Sequence, residues 1–372
     1  MSKPTRPTVA EIDLKALAGN LHAIRRKVGR GVRLMGVVKA NAYGHGILEV
    51  SRYLERQRID YLGVANAEEG VALRESGIKT PVHVFTLPSA EQAVLPIRYD
   101  LEPTICSEDD AGLLNKHAQR AKRTISVHLK LDTGMNRIGV RVGELAHLVS
   151  SLGSMRRIEI KGVYTHFATA DWNDKSFTRR QLAEFHRGLE ILHRSGVEAE
   201  HVHCAGSAAI LDLPEAYFSM VRPGIMMYGY FPSHETTESV KLKPVLSLKS
   251  RISLVKWIEQ GESVSYGRRF IAPRRTKIAT LPLGYADGYF RLLTGRSFAI
   301  IAGKKFPVVG TICMDQLMVD VGTHDVRPGD EAVFIGRQGK ESITAWDLAS
   351  AIGTIPYEVC TNISSRVPRI WG

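Results

Sequence analysis

The segment DLKALAGNLHAIRRKVGRGVRLMGVVK, residues 13–39, contains one helical pattern followed by one strand-like run. From Leu14 to Val28, leucine, isoleucine and valine recur at intervals of three, four, three and four residues, which places them on one face of a helix. Asp13 is suited to cap the start of that helix. The five apolar residues before Lys39 are typical of a short buried strand. The segment therefore predicts a helix and then a strand that ends at Lys39.

The same alternation of strand and helix continues over the first two thirds of the chain. Ser89 and Gln92 have the spacing of a capping box at the start of one helix, and Gly196 is expected to end another. Alternating β and α elements form parallel sheets, and eight such units predict an α/β fold, a closed (β/α)8 TIM-type barrel. The eight strand candidates lie at residues 34–38, 61–65, 82–85, 104–106, 127–131, 162–165, 201–204 and 220–221.

The pattern changes near residue 240. Beyond that point, short strand-like runs are separated by glycine and proline, and helical spacing is nearly absent before residues 346–352. One of the strand-like runs extends over residues 306–321. We therefore expect two domains, a (β/α)8 barrel over residues 1–240 and a mostly β domain over residues 241–372.

The composition is typical of a soluble globular protein, with 44% hydrophobic and 24% charged residues in a chain of 372. No apolar run approaches the roughly 18 residues that a membrane-spanning helix needs, and the N-terminus lacks the apolar core of a signal peptide. The four cysteines, Cys106, Cys204, Cys313 and Cys360, are far apart and form no CxxC pair. Because this pattern is typical of reduced thiols, we expect a cytoplasmic protein.

The net charge of +12 raises the question of a nucleic-acid partner. The basic residues form short pairs, such as Arg179 with Arg180, and not a tract interleaved with aromatic residues. A solvated basic surface is the better interpretation, and we expect neither a nucleic-acid nor a membrane partner. The sequence contains no HExxH, Walker, GxGxxG or GxSxG motif, so metal-binding, nucleotide-binding and serine-hydrolase functions have no residues to support them.

Lys39 stands where (β/α)8 barrels carry their reactive groups, at the C-terminal end of a strand. A lysine that emerges from an apolar strand into a pocket is a candidate Schiff-base nucleophile, because desolvation lowers its pKa and frees the amine. The alternative is a strand-end lysine whose amine reaches solvent. Ser207 and the 222–225 segment follow the seventh and eighth strands, where barrels often bind phosphate. An imine-forming amine beside a phosphate site favours pyridoxal phosphate as the cofactor.

Seven motifs lie in order along nearly the whole chain. They are KANAYGHG at 39–46, KLDTGMNRIG at 130–139, THFATAD at 165–171, VRPGIMMYG at 221–229, SYGR at 265–268, LPLGYADGY at 281–289 and GTICMDQ at 310–316. Together they resemble the alanine racemase family. The resemblance implies a pyridoxal-phosphate enzyme with a barrel, a β-rich second domain and a head-to-tail homodimer whose active sites draw on both chains. It further implies interconversion of L- and D-alanine, for peptidoglycan or for breakdown of D-alanine.

Racemisation of an amino acid removes the α-proton from one face and returns a proton to the other. Pyridoxal phosphate makes that proton removable by spreading the carbanion charge, and two acid/base groups on opposite faces complete the transfer. The resemblance implies that Lys39 holds the cofactor and serves the face of the D-enantiomer, while Tyr266 serves that of the L-enantiomer. Because a phenol is a weak base at neutral pH, it needs the neighbours that the family provides in His166 and Arg222. Arg222 is also expected to hydrogen-bond the cofactor's pyridine nitrogen without protonating it.

The remaining site residues follow from the resemblance alone. Arg137 is expected to contact the substrate carboxylate, and the backbone N–H of Met314 is expected to do so from the partner chain. Lys130 matches a position that is carbamylated in some members, and the alternative is an ordinary inward-facing barrel lysine. One departure is Gly206, where the family commonly has asparagine. The expected phosphate-binding residues are Tyr43, Ser207, Gly224, Ile225 and Tyr357.

Three other functions stay open on the sequence. A decarboxylase for basic amino acids also joins a barrel to a β domain, but it would be expected to offer a cysteine acid, and SYGR supplies a tyrosine. A non-catalytic pyridoxal-phosphate carrier would be a barrel alone, without the segment beyond residue 240. A racemase with wider substrate choice, for example serine, differs from an alanine racemase only in pocket width.

Overall fold

The computed structural model describes residues 5–372. These residues form two compact units, which we call the barrel unit and the β unit. The barrel unit contains residues 17–42 and 47–243. The β unit contains the C-terminal segment Pro244–Gly372 together with two short N-terminal pieces, residues 5–16 and Tyr43–Gly46.

The barrel unit contains eight parallel strands whose order in the sheet follows their order in the chain. The last strand pairs with the first, Met220 beside Arg33, and a parallel bridge between Gly206 and Arg222 joins the seventh strand's end to the eighth. These links confirm the predicted (β/α)8 barrel. The strands are Arg33–Val37, Tyr61–Val64, Val82–Val84, Glu102–Ile105, Ile125–Asp132, Ile158–Tyr164, His201–His203 and Met220–Val221, with a two-residue strand Val140–Arg141 beside the fifth.

Helices lie between the barrel strands. Asp13 caps the first helix, since its Oδ1 accepts a hydrogen bond of 2.8 Å from the N–H of Ala16. Gly196, with φ of +74°, follows the end of the helix Ser176–Arg194 as expected. The helices are Leu14–Val28, Ile47–Arg56, Ala67–Glu75, Val94–Tyr99, Glu108–Arg120, Leu145–Leu152, Ser176–Arg194 and Ser207–Asp212.

The helix expected to begin at Ser89 begins later. Ser89 Oγ does accept a hydrogen bond of 3.3 Å from the N–H of Gln92, but this bond holds a turn, and the helix starts at Val94. The physical reason is Pro96, which lacks an N–H and fits only in the first turn of a helix. The predicted start of this helix is therefore wrong by a few residues.

The β unit is built around one mixed sheet, which confirms the expected mostly β architecture. The strand Val9–Ile12 pairs antiparallel with Leu246–Arg251 and parallel with Arg369–Trp371, so both ends of the chain join the sheet. The predicted run 306–321 is divided into two strands. The other strands of the mixed sheet are Leu254–Ile258, Thr276–Leu281, Phe298–Ile301, Lys304–Val309, Leu317–Gly322, Glu331–Gln338 and Glu341–Ile343. Ser263–Val264 and Phe270–Ile271 form a separate two-stranded sheet, and the helices of the β unit are Ala345–Ile352 and Pro356–Thr361.

Hydrophobic burial follows the period of each element. In Leu317–Gly322 buried and half-buried residues alternate, as in a strand with one face on the core. In the first barrel strand, residues 34–37 are all buried, as expected for a parallel strand covered on both faces. Within residues 5–372, no helix has the length and apolar character needed to cross a bilayer.

Candidate active site

The chain makes a left-handed turn directly after Lys39. Ala40, Asn41 and Ala42 have φ between 52° and 54° and ψ between 45° and 56°. Residues other than glycine rarely adopt this conformation, which costs roughly 1–2 kcal/mol per residue. Consecutive strain of this kind persists only where the surrounding structure holds it, and it is concentrated at functional sites.

Glu69 holds the turn in place from the helix Ala67–Glu75. Its Oε1 accepts a hydrogen bond of 2.7 Å from the N–H of Ala40, and its Oε2 accepts one of 2.8 Å from the N–H of Ala65. The side chain of Asn41 adds a second anchor, because its Oδ1 accepts a bond of 2.9 Å from the N–H of Ile47. One carboxylate thus connects the end of the second strand to the residue that follows Lys39.

The Lys39 amine lies in a cationic environment. Burial lowers its pKa, and the charges of Arg137 and Arg222 lower it further, while Glu69 opposes this shift. Lys130, at the end of the fifth strand, is 4% exposed, and burial with the same two guanidinium groups lowers its pKa to about 7. Both amines therefore hold an unprotonated form more readily than a surface lysine does.

Arg137 lies in the loop that follows the fifth strand. Asp132 Oδ1 shapes this loop by accepting hydrogen bonds from the N–H groups of Gly134 at 2.9 Å and Asn136 at 3.0 Å. At Gly139, where φ is +133°, a Cβ would lie 2.6 Å from the backbone nitrogen of Asp132, so only glycine fits. Arg137 itself is exposed and forms no hydrogen bond or ion pair with residues 5–372, which leaves its guanidinium available to an anion.

Arg222 follows the eighth strand and is 5% exposed. Its Nη1 donates to His203 Nδ1 at 2.8 Å and to the His203 carbonyl at 2.9 Å. Its Nη2 donates to the carbonyls of Thr165 and Cys204 and lies 3.2 Å from His166 Nδ1. Burial and the charge of Arg222 keep the pKa of His166 well below its usual value, so His166 is neutral. Within residues 5–372 no acceptor contacts the Arg222 Nε–H.

The loops after the seventh and eighth strands meet at Ser207. Its Oγ accepts a hydrogen bond of 2.9 Å from the Gly224 N–H, which leaves the serine O–H as a donor. The N–H groups of Ser207 and Ile225 stand at the first positions of their short helices, where no intrahelical acceptor exists. A Cβ at Gly206 would lie 3.5 Å from the His166 ring, so this glycine is not demanded by space.

These donors fit a phosphorylated pyridine aldehyde. The Lys39 amine, with its lowered pKa, matches an aldehyde that forms an imine. The hydroxyl and backbone N–H donors at the ends of the seventh and eighth strands match a phosphate. The Arg222 Nε–H, which has no acceptor within residues 5–372, matches a ring nitrogen. Lys39, Arg222, Ser207, Gly224 and Ile225 are the residues that would hold such a group.

Tyr266 lies in the β unit, in the tight turn between Ser263–Val264 and Phe270–Ile271. Its side chain is 72% exposed. The turn is braced by the loop after Lys304–Val309, because Ser265 Oγ donates to the Thr311 carbonyl at 2.6 Å and Thr311 Oγ1 donates to the Tyr266 carbonyl at 2.7 Å. The exposed phenol is therefore carried on a fixed backbone.

Met314 lies in the same bracing loop and is 52% exposed. The carbonyl of Met314 accepts a bond of 3.0 Å from the N–H of Ala286. A Cβ at Gly284 would overlap that carbonyl, so glycine is required there. Tyr285 follows Gly284 and is 39% exposed. Also in the β unit, the rings of Tyr43 and Tyr357 lie 5.9 Å apart between centroids.

Sequence reasoning missed two groups of residues at the barrel site. Glu69 stands three residues after Asn66, the N-cap of its helix, and the Asn66 Oδ1 accepts a hydrogen bond of 2.9 Å from the Glu69 N–H. In the sequence, this spacing indicates the start of a helix and no contact with Lys39. The sequence assigns no role to His203, which lies in the seventh strand. Its contact with Arg222 joins two strands, and no local pattern reveals such a contact.

Comparison with known proteins bears on both units. Residues 12–232 match the family model "Alanine racemase, N-terminal domain", and residues 245–371 match "Alanine racemase, C-terminal domain". The alanine racemase of Carboxydothermus hydrogenoformans is 45% identical over 368 residues, covering 98% of this chain and 100% of that relative.

Solved structures of racemases share the fold. Alanine racemase from Bacillus anthracis, with bound L-Ala-P, matches with a TM-score of 0.95 at 36% identity, over 100% of this chain and 96% of that one. Histidine racemase from Leuconostoc mesenteroides matches with a TM-score of 0.92 at 29% identity, over 100% and 99%. Since these matches span nearly every residue of both units, the chain belongs to the alanine racemase family.

Proposed function

We propose that this protein is an alanine racemase that interconverts L- and D-alanine by moving the α-proton between two bases. The observation that carries the proposal is the barrel site itself. A lysine amine whose pKa is lowered by burial lies among Arg137, Lys130 and Arg222, at the strand ends of a chain that belongs to this family. When bound, pyridoxal phosphate supplies the electron sink that makes an α-proton acidic.

The barrel residues bind and orient the cofactor. Lys39 would hold the cofactor aldehyde, and Ser207 with the backbone N–H groups of Gly224 and Ile225 would bind its phosphate, assisted by Tyr43 and Tyr357. Arg222 would hold the ring nitrogen as a hydrogen-bond donor. Because a guanidinium stays protonated in proteins, such a contact would polarise the nitrogen without transferring a proton.

Two groups move the proton. The Lys39 Nζ exchanges it on the face of the D-enantiomer, and the Tyr266 hydroxyl exchanges it on the face of the L-enantiomer. His166 and Arg222 stabilise the charge near that phenol, and the exposed guanidinium of Arg137 binds the substrate carboxylate together with the Met314 N–H. Such charge-assisted contacts orient the substrate as well as bind it.

The active form is proposed to be a homodimer in which each site takes residues from both chains. Tyr266 and Met314 are 72% and 52% exposed, although both are assigned to the site. Proton transfer to a bound substrate needs surroundings that exclude water, so another surface has to cover these two side chains in the active form. A second copy of the chain is the partner that the family resemblance implies.

Lys130 is proposed to carry a carbamate. Carbon dioxide reacts with a neutral amine, and a pKa of about 7 keeps much of the Lys130 amine neutral at physiological pH. The carbon of carbon dioxide bonds to Nζ as one of its C=O π bonds opens, one proton passes from Nζ to water, and the resulting carbamate anion neutralises the neighbouring charge of Arg137. Labelled ¹³CO₂ would give a carbamate signal that a Lys130→Met variant lacks, whereas no signal in the wild-type protein would contradict the assignment.

We also propose a cytoplasmic location, which is supported by four cysteines that are all free thiols. Supply of D-alanine for peptidoglycan is the proposed cellular role, with D-alanine breakdown as the alternative.

The direct test measures exchange of the α-proton of alanine and inversion of its configuration in the same experiment. Purified protein with pyridoxal phosphate is incubated with L- or D-alanine in deuterated water, and α-deuterium and enantiomer ratio are measured. We expect both enantiomers to reach an equal mixture with deuterium at Cα. Decarboxylation, or no reaction with either enantiomer, would contradict the proposal.

A racemase of wider specificity is the second candidate, and the match to a histidine racemase over nearly the full chain favours its inclusion. The same assay with serine and histidine separates the two. A kcat/KM for either that equals the value for alanine would support the second candidate.

A further inference from the structure

A chain of hydrogen bonds runs through the interior of the barrel, from the start of one strand to Arg222. Arg222 Nη1 lies 2.8 Å from His203 Nδ1. His203 Nε2 lies 2.9 Å from His128 Nδ1, and His128 Nε2 lies 2.9 Å from Glu102 Oε2. At the outer end, Lys161 Nζ donates to Glu102 Oε1 at 2.7 Å, and the Lys161 side chain is 26% exposed. The chain thus connects Arg222 to a carboxylate near solvent.

The chain has only one direction that satisfies every group. A guanidinium can only donate, so His203 Nδ1 must accept and His203 carries its proton on Nε2. That proton is donated to His128 Nδ1, so His128 carries its own proton on Nε2 and donates it to Glu102. Both imidazoles are therefore neutral and have the same tautomer. Burial lowers the pKa of both histidines, which agrees with this assignment.

The other end of the chain is a charged carboxylate. Burial alone would raise the pKa of Glu102, but hydrogen bonds from His128 and Lys161 outweigh it and lower the pKa. Tyr61 OH, 3.5 Å from Glu102 Oε1, adds a weak third contact. The ring of His83 lies 4.2 Å from that of His128, but His83 Nδ1 bonds to the Glu102 carbonyl and does not enter the chain.

Arg222 needs such a chain because it is a buried cation whose direct hydrogen-bond partners are all neutral. Its side-chain acceptors are carbonyl oxygens and histidine nitrogens, and no carboxylate of residues 5–372 lies within ion-pair distance of it. Removing a charge from water without compensation is costly, and burial lowers the Arg222 pKa accordingly. Hydrogen-bonded groups in a low-dielectric interior polarise one another, so aligned imidazoles extend the influence of a distant anion.

We propose that Glu102, His128 and His203 are positioning residues for Arg222. They fix the rotation of the guanidinium and supply its counter-charge through two neutral imidazoles, which keeps the Nε–H directed to the bound cofactor and not to a protein acceptor. This inference rests on the proposed function only where Arg222 meets the cofactor. The hydrogen-bond chain itself belongs to the barrel and is testable separately.

The first test reads the tautomers in the wild-type protein with its cofactor. The protein is labelled with ¹⁵N in the histidine rings, and imidazole spectra are recorded between pH 6 and pH 8. We expect His128 and His203 to be neutral with the proton on Nε2 throughout. A proton on Nδ1 of either ring, or a doubly protonated ring at neutral pH, would overturn the proposal, whether or not the protein racemises alanine.

The second test is a double-mutant cycle that breaks the chain at two places. In His203→Asn, the asparagine Oδ1 stands in for Nδ1 and can still accept from Arg222, but the link to His128 is lost. In Glu102→Gln, the link remains and the charge is removed. The affinity for pyridoxal phosphate is measured by titration of cofactor-depleted protein. Each change is expected to raise Kd about tenfold, which equals about 1.4 kcal/mol.

The double variant decides the interpretation. If the chain acts as a unit, the combined change raises Kd no further than either single change, because each already separates Arg222 from the carboxylate. Full additivity would mean that the residues act independently and would overturn the proposal. Glu159→Gln is the matched control, since Glu159 is exposed on the sixth strand and its carboxylate accepts a hydrogen bond of 2.9 Å from Ser126 Oγ.

Discussion

The barrel unit and the β unit hold their candidate site residues in opposite ways. In the barrel, Arg222 is 5% exposed and both of its terminal nitrogens donate hydrogen bonds to the same unit. In the β unit, Tyr266 is 72% exposed, although hydrogen bonds fix its backbone. The barrel part of the site is therefore preorganised by its own strands. The Tyr266 phenol, by contrast, stands exposed on the surface of the β unit.

The largest loss of racemisation rate is expected from a substitution in the barrel unit. Lys39→Ala removes both the cofactor attachment and one base, so racemisation should fall by at least about 10⁴-fold. The rate of L-to-D conversion and the absorption of bound cofactor are the measurements. Lys116→Ala, at an exposed position of the helix Glu108–Arg120, is the control and should retain full activity. Substantial activity in Lys39→Ala would show that the barrel part of the site has been assigned to the wrong lysine.

A substitution in the β unit is expected to lower the racemisation rate by a smaller factor and to leave the stability of the fold unchanged. Tyr266→Phe removes one acid/base hydroxyl and leaves the ring, so racemisation should fall by about 10²- to 10⁴-fold. Because Tyr266 is exposed, the free energy of unfolding should change by less than about 0.5 kcal/mol. Stopped-flow rates and urea unfolding test the two statements. A variant that loses stability as well as rate would show that the phenol is part of the fold.

A conservative change beside Lys39 tests how far the barrel is preorganised. Glu69→Gln places an amide where two backbone N–H groups need acceptors, and it removes the charge that opposes the lowered pKa of Lys39. We expect the rate to fall about tenfold, equal to about 1.4 kcal/mol, and the Lys39 pKa to fall further. The pH dependence of Lys39 labelling measures the shift.

Glu68→Gln is the control for that experiment. Glu68 is the exposed neighbour on the same helix, and its carboxylate accepts a hydrogen bond of 2.6 Å from Gln92 Nε2 on the protein surface. It should behave as the wild-type protein. Equal effects of the two substitutions would remove the special role given to Glu69.

The histidines of the barrel predict a dependence of stability on pH. Burial lowers the folded pKa of each, whereas the unfolded value is about 6.5. Below pH 6.5 the unfolded chain therefore binds more protons, and the free energy of unfolding falls as pH falls, by about 1.4 kcal/mol per pH unit for each such histidine. The residues are His83, His128, His166, His201 and His203.

Urea unfolding between pH 8 and pH 5.5 measures this slope. An unfolding free energy that stays constant over that range would contradict the neutral, buried state of these rings.

Much of the barrel could be predicted because its signals are local. The spacing from Leu14 to Val28 lies within one helix, and each strand candidate is one short apolar run. The site-bearing strand ends then follow from the fold class. The resemblance, carried by seven motifs in order, added the residue roles that spacing cannot supply.

The features of the fold and of the site that could not be predicted depend on contacts between residues that are far apart in the sequence. Nothing in residues 9–12 indicates that they pair with Leu246–Arg251. Likewise, His201 and His203 have no carboxylate at useful spacing in the sequence, yet the barrel brings His203 within two hydrogen bonds of Glu102. The left-handed turn after Lys39 is equally hidden, since Asn41 tolerates positive φ but the alanines at 40 and 42 do not favour it.

The most direct measurement of the central claim mixes two inactive variants. Lys39→Ala and Tyr266→Phe proteins are unfolded together in equal amounts, refolded with pyridoxal phosphate and assayed with L-alanine. If a site takes Lys39 from one chain and Tyr266 from its partner, half of the dimers are mixed and each has one intact site. Activity should then return to about one quarter of the wild-type value. If both residues of a site came from one chain, no mixed dimer would have an intact site, and the mixture would stay as inactive as its parents.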